Sequence, residues 1–311
     1  MPEMAAAADG LRHVAFFYRD TAHYQASLAR FVQAGLACHE PVLLAIPQVT
    51  AVLRDRPWGT SEPVAVTDMT ELGSNPARVI PALRAFADRH LGQRVRIFSE
   101  LIWPGRSVAE TCEAARHEGL VDLGLAGIKG TMVCPYSAAL SDSVLADAAC
   151  MHPWELGTGD LLPSATYAGP GAVPMGSRVP LPRPPQDAEV IEFQSDLRPV
   201  RALVTTAGQR AGLGESQVTD LMLATSEVAA NTLQHTGASG VAHVWHANGE
   251  MLCQVSDSGH IADPLAGLRR PVLNEPGGQG LWLVNQVCDL VELRSTGAGT
   301  VVRLHMRIER G

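Results

Sequence analysis

Glu227 and Asn231 are the two side chains whose spacing first suggests chemistry. They stand four residues apart in ESQVTDLMLATSEVAANTLQHTG (215–237), so on a helix they point the same way. The apolar residues of this segment fall on an adjoining stripe that should pack on a sheet: Val218, Leu221, Ala224, Thr225, Val228 and Thr232. A carboxylate and an amide at the border of a buried face are typical of a pocket wall. A solvated polar face is the alternative.

Asp257 ends a strand-like run, MLCQVSDSG, in which Met251, Cys253 and Val255 alternate to one side. The same period puts Asp257 on that apolar side, where a carboxylate needs a hydrogen-bond donor. The amino group of a flat heterocycle, such as the adenine of ATP, would supply the donor. A backbone turn at the strand end is the alternative. Gly259 leaves room for a ligand to approach.

The stretch GGQGLWLV (277–284) places three glycines at the start of an apolar helix. It follows a loop, 258–276, whose length is typical of a lid or of a disordered segment. The free amides at such a helix start favour an anion, for example a phosphate chain, and a tight turn before a buried helix is the alternative. The closing run GTVVRLHMRI alternates so that Thr300 faces the side of the buried strand residues.

Length and composition limit the class of protein. A chain of 311 residues suits two domains. The net charge of −8, with no basic run, argues against nucleic acid as a direct partner. No apolar run is long enough to span a membrane, the N-terminus lacks the pattern of a signal peptide, and the six cysteines form no CxxC pair. We therefore expect a cytoplasmic protein with reduced thiols and no membrane partner.

Residues 157–189 are rich in proline and glycine and are predicted to be a linker between domains at 10–156 and 190–311. In the first domain, apolar runs such as RHVAFFY, EPVLLAIP and TMVCPY alternate with amphipathic ones, which predicts an α/β domain with a doubly wound, mainly parallel sheet. Ligands of such sheets bind beyond the carboxyl ends of the strands. GLAGIKGT (124–131) lacks the GxxxxGK[ST] spacing, so no phosphate loop is expected.

The C-terminal motifs occur in the order of the GHKL ATPase fold. SEVAANTLQH resembles its N box, VSDSG its first glycine box, GGQGLWLV its second, and GTVVRL its closing strand. Without a phosphoacceptor-histidine helix bundle, the arrangement resembles the anti-sigma-factor serine kinases. The resemblance implies a GHKL α/β sandwich that binds ATP and Mg²⁺. It also implies that Glu227 is the general base and Asn231 the magnesium ligand. Asp257 and Thr300 would contact the adenine. Gly259, Gly278 and Gly280 would form the backbone around the nucleotide, and Leu281 would begin the helix beneath the phosphates.

The N-terminal domain resembles the MEDS sensory domain in RHVAFFY, FSELIWPG and VCPYSAALS. That resemblance implies the sensing of small organic molecules on a RecA-like fold without a phosphate loop. The candidate sensor residues, for each of which a core or loop role is the alternative, are His13, Tyr18, Glu100, Trp103, Cys134 and Tyr136.

These resemblances predict a cytoplasmic regulatory protein in which a sensor controls an anti-sigma-factor-like serine kinase. They imply two protein partners, a sigma factor and a STAS-type anti-sigma-factor antagonist, of which the antagonist would be phosphorylated. They also imply a small-molecule ligand at the N-terminal domain and a homodimer. A histidine-kinase-like signalling ATPase and a nucleotide-binding scaffold without catalysis are the alternatives.

Overall fold

A computed structural model describes residues 10–47, 49–50, 58, 64–157, 160–172, 179–236, 239–271 and 278–308. Gly237 at the end of the predicted helical segment 215–237, the last part of the predicted lid (272–276) and Gly277 lie outside these residues. The chain divides into two compact units, Met1–Gly176 and Ser177–Gly311. The division falls inside the segment predicted to be a linker.

The first unit is built on a seven-stranded sheet. Its strands are β1 (Leu11–Tyr18), β2 (Val42–Ile46), β3 (Ala65–Asp68), β4 (Val95–Ser99), β5 (Gly130–Ser137), β6 (Trp154–Leu156) and β7 (Leu161–Pro163). They are arranged in the order β3-β2-β4-β5-β1-β6-β7. Neighbouring strands are parallel except for β6 and β7, which pair antiparallel. The mainly parallel sheet predicted from the continuous apolar runs is confirmed.

Helices cover the sheet of the first unit. They are α1 (Thr21–Ala37), α2 (Met69–Leu72), α3 (Val79–Asp88), α4 (Val108–Glu118), α5 (Val121–Gly124) and α6 (Asp142–Met151), with a 3₁₀ turn at Pro76–Arg78. The Asp20 side chain caps α1, and Ser107 with Glu110 forms a capping box on α4. The segment 124–131 leads from α5 into β5, a strand. It therefore opens no helix that could hold a phosphate.

Part of the predicted linker is folded onto the first unit. β7 lies within it and adds an edge strand that ends at Pro163. Proline is tolerated there because an edge strand has a backbone side that needs no donor. Farther along, Ala168 N–H donates to the carbonyl of Cys150, and Gly171 N–H donates to that of Gly119. A lack of helical or strand period in the sequence did not mean a lack of packing.

The second unit is an antiparallel five-stranded sheet with helices. Its strands are β8 (Glu189–Phe193), β9 (Gly240–Ala247), β10 (Glu250–Asp257), β11 (Leu290–Thr296) and β12 (Gly299–Arg307), in the order β11-β12-β10-β9-β8. Its helices are α7 (Arg198–Ala211), α8 (Glu215–Thr236) and α9 (Gln279–Val287). This is the predicted GHKL-type α/β sandwich. The sequence placed α8 first after the linker, whereas β8 and α7 precede it.

The sheet face opposite the helices is polar but buried in places. Arg303 donates to Gln254 Oε1 at 2.7 Å and to the carbonyl of Pro182. His305 lies between the carboxylates of Glu250 and Glu292, at 2.9 Å from each. These partners allow the charged side chains of Arg303 and His305 to be buried on this face of β12. No helix in the described part of either unit is both long and apolar enough to cross a membrane.

Candidate nucleotide site

Glu227 and Asn231 project from α8 where the helix leaves the core. The six residues of the predicted apolar stripe are all buried, from Val218 to Thr232. Glu227 and Asn231 are half-buried. Helix periodicity therefore puts a carboxylate and an amide at the rim of the packed face, as the spacing predicts.

Gly280 lies directly against this pair. A Cβ atom placed on Gly280 would stand 2.9 Å from Glu227 Oε2, 3.5 Å from Asn231 Nδ2 and 3.6 Å from Asn231 Oδ1. The first of these approaches is closer than Cβ atoms normally make. Gly280 is the second residue of α9, so the E-x-x-x-N face of α8 and the glycine-rich start of α9 form one site.

At the N-terminus of α9, the described residues show no side-chain cap on the helix amides. Gly278 precedes the helix in the left-handed conformation, with a φ of 77°, and makes no side-chain capping bond. The helix dipole adds a partial positive charge at this end. Leu281 packs against the core, and Asn285 Nδ2 donates to the carbonyl of Gly267 at 3.0 Å. The helix start is thus fixed in place and suited to an anion.

Asp257 is held by two donors. Its Oδ2 accepts from the Thr232 hydroxyl at 2.6 Å, and its Oδ1 accepts from the backbone N–H of Gly259 at 2.7 Å. The bond from Gly259 forms a backbone turn at the end of the strand, which is the alternative that the sequence offered for Asp257. Each carboxylate oxygen has two lone pairs, so Asp257 keeps the capacity to accept from a ligand. Asp257 faces Thr300 across the β10–β12 ladder.

Thr300 joins the strand ends to the first part of the lid. It is 5% exposed, and its hydroxyl donates to the carbonyl of Gly259 at 2.9 Å. Its single proton is used there, so the Ser295 hydroxyl, 2.8 Å away, donates to Thr300. Ser295 Oγ in turn accepts from the N–H of Ile261 at 2.8 Å. Thr300 is therefore oriented by two neighbours, Gly259 and Ser295.

The described part of the lid, residues 258–271, is anchored in the domain. The sequence showed no core pattern there, but Leu265 and Leu268 are buried at 6% and 3% exposure. A turn brings both side chains to one side. Arg269 pairs with Asp263 at 2.6 Å on the exposed side. Two buried leucines are too few to give a periodic signal in a sequence.

The predicted site residues fall into two groups. Glu227, Asn231 and Gly280 surround the start of α9, with Gly278 and Leu281 on either side of Gly280. Asp257, Gly259 and Thr300 share hydrogen bonds at the strand ends. Thr232, the neighbour of Asn231 on α8, connects the second group to the helix.

Sequence reasoning missed Thr232 and Ser295 as members of the site. Thr232 was placed in the apolar stripe, where its hydroxyl needs a partner, but the stripe does not indicate which acceptor it meets. Ser295 faces Thr300 in the β11–β12 hairpin, a pairing that the turn Thr296-Gly297-Ala298-Gly299 determines.

The chemistry of these groups fits an adenine nucleotide with a magnesium ion. Asp257 offers an acceptor to an exocyclic amino group, and the uncapped amides of α9 offer donors to phosphate. The amide oxygen of Asn231 is the kind of ligand that magnesium prefers. Gly280 leaves clearance in front of Glu227 and Asn231 that any side chain would fill.

Five of the six candidate sensor residues of the first unit lie in two groups on opposite faces of its sheet. Ala15 of β1 aligns with Cys134 of β5, and side chains alternate along a strand. His13, Cys134 and Tyr136 therefore share one face, whereas Tyr18 points to the other. The sequence could not separate these groups, because it does not fix the register of two distant strands.

Tyr18 and Glu100 form the first group. The Tyr18 hydroxyl donates to Glu100 Oε1 at 2.9 Å, and Glu100 is only 3% exposed. Burial raises the pKa of Glu100 to about 7, although hydrogen bonds from Tyr18 and Tyr24 oppose the rise. Trp103 is half-buried and stacks under the Arg106 guanidinium at 3.7 Å. The carboxyl end of β4 thus carries an acid that titrates near neutral pH.

His13, Cys134 and Tyr136 form the second group, together with Glu118 and His152. All five are buried at 3% exposure or less. Glu118 is the last residue of α4, and His152 directly follows α6. Neither was predicted, because nothing in the local sequence indicates that the ends of two helices meet above the same strands.

The second unit has the fold of a histidine kinase-like ATPase domain, and it follows a separate α/β domain. Residues 12–153 match the family model of MEDS, described as MEthanogen/methylotroph, DcmR Sensory domain. Residues 193–306 match that of the Histidine kinase-like ATPase domain. The chain therefore carries a MEDS domain at its N-terminal side and a GHKL-like ATPase domain at its C-terminal side, as the motifs predicted.

One similar solved structure is the crystal structure of the RsbU and RsbW domains of Rv1364c from Mycobacterium tuberculosis. It is 21% identical, the match covers 40% of this chain, and the TM-score is 0.30. The match spans about a third of that chain's length, 33%. No curated protein is significantly similar to this chain.

Proposed function

We propose that the protein is a sensor-coupled regulatory kinase that binds ATP with Mg²⁺ and transfers its γ-phosphoryl group to a serine of a partner protein. The observation that carries the proposal is the meeting of Glu227, Asn231 and Gly280 beside the uncapped start of α9. The bound nucleotide supplies the phosphoryl group and the ion its neutralising charge. The protein supplies position, clearance and a base.

Each side chain has one task in this proposal. Asn231 contributes its amide oxygen to the ion. Asp257, fixed by Thr232 and Gly259, accepts from the adenine amino group. Glu227 takes the proton of the attacking serine hydroxyl, because its carboxylate lies at the open side of Gly280 where the phosphates would pass.

The motif resemblance supports a STAS-type antagonist as the phosphorylated partner and a sigma factor as the protein held or released, within a cytoplasmic, dimeric regulator. A histidine-kinase mechanism needs a helix that presents a phosphoacceptor histidine before the ATPase domain. Between α6 and α7, the described residues (152–157, 160–172 and 179–197) contain short strands and no helix. This favours transfer to a separate protein.

The test has a binding step and a transfer step. Calorimetry on the whole chain should show saturable binding of Mg²⁺-ATP that an Asn231→Ala, Asp257→Asn double variant loses. Absence of binding by the folded wild-type chain would end the proposal. Transfer is then measured with labelled ATP and a STAS-type antagonist.

Glu227→Gln separates catalysis from binding. We expect it to bind ATP and to transfer about 10²- to 10⁴-fold more slowly, the usual contribution of a general base. Glu215→Gln, an exposed carboxylate on the same helix, is the matched control and should transfer normally. Equal transfer rates in Glu227→Gln and wild type would show that Glu227 is not the general base. ATP binding by the wild type without any transfer would indicate a nucleotide-binding scaffold. An acid-labile product would indicate phosphorylation of a histidine.

A further inference from the structure

We propose that the MEDS domain holds a zinc ion between His13, Glu118, Cys134 and His152. One donor atom from each of these residues lies within 4.8 Å of all the others, and all four residues are buried at 1% exposure or less. Two imidazoles, a thiol and a carboxylate are the ligand types that zinc takes in proteins. The site is distinct from the nucleotide site and does not depend on the kinase proposal.

Three of the six distances between the donor atoms are close to the edges of a zinc tetrahedron. His13 Nε2 is 3.0 Å from Glu118 Oε1, His152 Nε2 is 3.3 Å from the same oxygen, and Cys134 Sγ is 3.4 Å from His13 Nε2. Ordinary zinc bond lengths place nitrogen and oxygen ligands about 3.3 Å apart, and nitrogen and sulfur ligands about 3.5 Å apart. These three pairs already stand at ligand-to-ligand separations, and the other pairs lie within 4.8 Å.

The outer nitrogens of both histidines are already oriented. His152 Nδ1 donates to the carbonyl of Ala148 at 2.7 Å, which leaves its Nε2 as a bare lone pair. His13 Nδ1 lies 3.1 Å from Asp122 Oδ1, and Asp122 also accepts from the Tyr167 hydroxyl at 2.8 Å. A backbone carbonyl or a carboxylate behind each imidazole is the usual outer arrangement of a zinc site.

Hydrogen bonds alone leave this cluster incomplete. His152 Nε2 is buried and, among the described residues, has no hydrogen-bond partner, although it faces a carboxylate oxygen. Two lone pairs at this distance need either a proton or a metal ion between them. Zinc meets this need, and with one thiolate and one carboxylate the buried group is formally neutral.

The four ligands come from separate, rigid parts of the fold. His13 and Cys134 stand on the neighbouring strands β1 and β5, and Glu118 and His152 stand at the ends of α4 and α6. A bound ion therefore joins two helices to the centre of the sheet. Four side-chain ligands leave no open position, which is the pattern of a structural site rather than of a catalytic one.

The first test is the metal content of the whole purified chain, followed by titration of the chelator-treated chain with Zn²⁺ and with Co²⁺ alone. We expect about one zinc ion per chain. Bound Co²⁺ should give the visible bands of a tetrahedral site and the near-ultraviolet band of a thiolate ligand. A folded wild-type chain that contains no metal and takes up neither ion would overturn the proposal, and the cluster would then be a hydrogen-bonded network.

One variant tests the thiolate ligand and another tests the outer carboxylate. Cys134→Ser should lose the thiolate band of Co²⁺, whereas Cys253→Ser, which changes an equally buried thiol in the other domain, should keep it. Asp122→Asn keeps all four ligands and should weaken zinc binding about 10- to 100-fold, the usual effect of removing an outer carboxylate. An unchanged thiolate band in Cys134→Ser, or a stoichiometric metal other than zinc, would contradict the assignment.

Discussion

Replacing Asp257 by asparagine tests the adenine contact with little change to the fold. The amide oxygen of the variant has to stay on the N–H of Gly259, because that backbone donor cannot turn. The NH₂ group then faces Thr232, whose hydroxyl can accept from it and donate to the carbonyl of Val228, 3.3 Å away. The N–H of Gly259 and the hydroxyl of Thr232 both keep a partner, so we expect the free energy of unfolding to change by about 1 kcal/mol or less.

Nucleotide binding should respond much more strongly than stability. The variant presents a donor where the adenine amino group needs an acceptor, and the lost hydrogen bond is one to a charged group. Such a bond contributes about 1.5 to 3 kcal/mol, which corresponds to a roughly 10- to 150-fold loss of affinity. Inosine triphosphate carries an acceptor in place of that amino group, so Asp257→Asn should narrow or reverse the preference for ATP.

Calorimetry with ATP and with inosine triphosphate, in the presence of Mg²⁺, measures both effects. Asp289→Asn is the matched control, since Asp289 also accepts from a backbone N–H, that of Arg307 at 2.7 Å. It lies at the opposite end of the β11–β12 hairpin from Thr300. Unchanged ATP affinity in Asp257→Asn would refute the reasoning, as would an equal loss in Asp289→Asn.

Two further predictions concern Gly280 and Glu100. Gly280→Ala should weaken Mg²⁺-ATP binding at least 10-fold by calorimetry, because its Cβ would press on Glu227 at 2.9 Å, whereas Gly214→Ala, with only an ordinary contact at 3.7 Å, should bind normally. The pKa of Glu100 is about 7 in the folded protein and 4.5 ordinarily, so the folded protein binds this proton more tightly than the unfolded chain does. The free energy of unfolding should therefore fall by up to about 3 kcal/mol as the pH rises from 4.5 to about 7. Thermal unfolding of Glu100→Gln between pH 5 and pH 8 should lack this decline, and parallel profiles for variant and wild type would contradict the assignment.

Features that depend on local period were predictable from the sequence. The Glu227 and Asn231 face follows from the helical repeat of α8, and the inward position of Asp257 follows from the alternation along β10. The glycines of 277–284 indicated a helix start that needs bare backbone. Each of these inferences uses residues within a few positions of one another, where backbone geometry alone sets the direction of a side chain.

Contacts between distant segments were not predictable in the same way. Thr232 and Asp257 are 25 residues apart, and His13 and Glu118 are 105 apart. Whether such pairs meet depends on strand order and register, which the packing of the whole unit decides. β8 escaped prediction for another reason: it is a half-exposed edge strand, with Val190 59% exposed, so its apolar signal is weak.

The proline-rich segment between the domains belongs largely to the two units themselves. In its first half, Tyr167 donates to Asp122, the carboxylate that orients His13, so the hydrogen bonds of the proposed zinc site extend to residue 167. In its second half, the carbonyl of Pro182 accepts from Arg303 of β12. Prolines lack an N–H but keep their carbonyl, which is why such a segment can pack without any helical or strand pattern. Each described half of the segment is therefore hydrogen-bonded to its own unit.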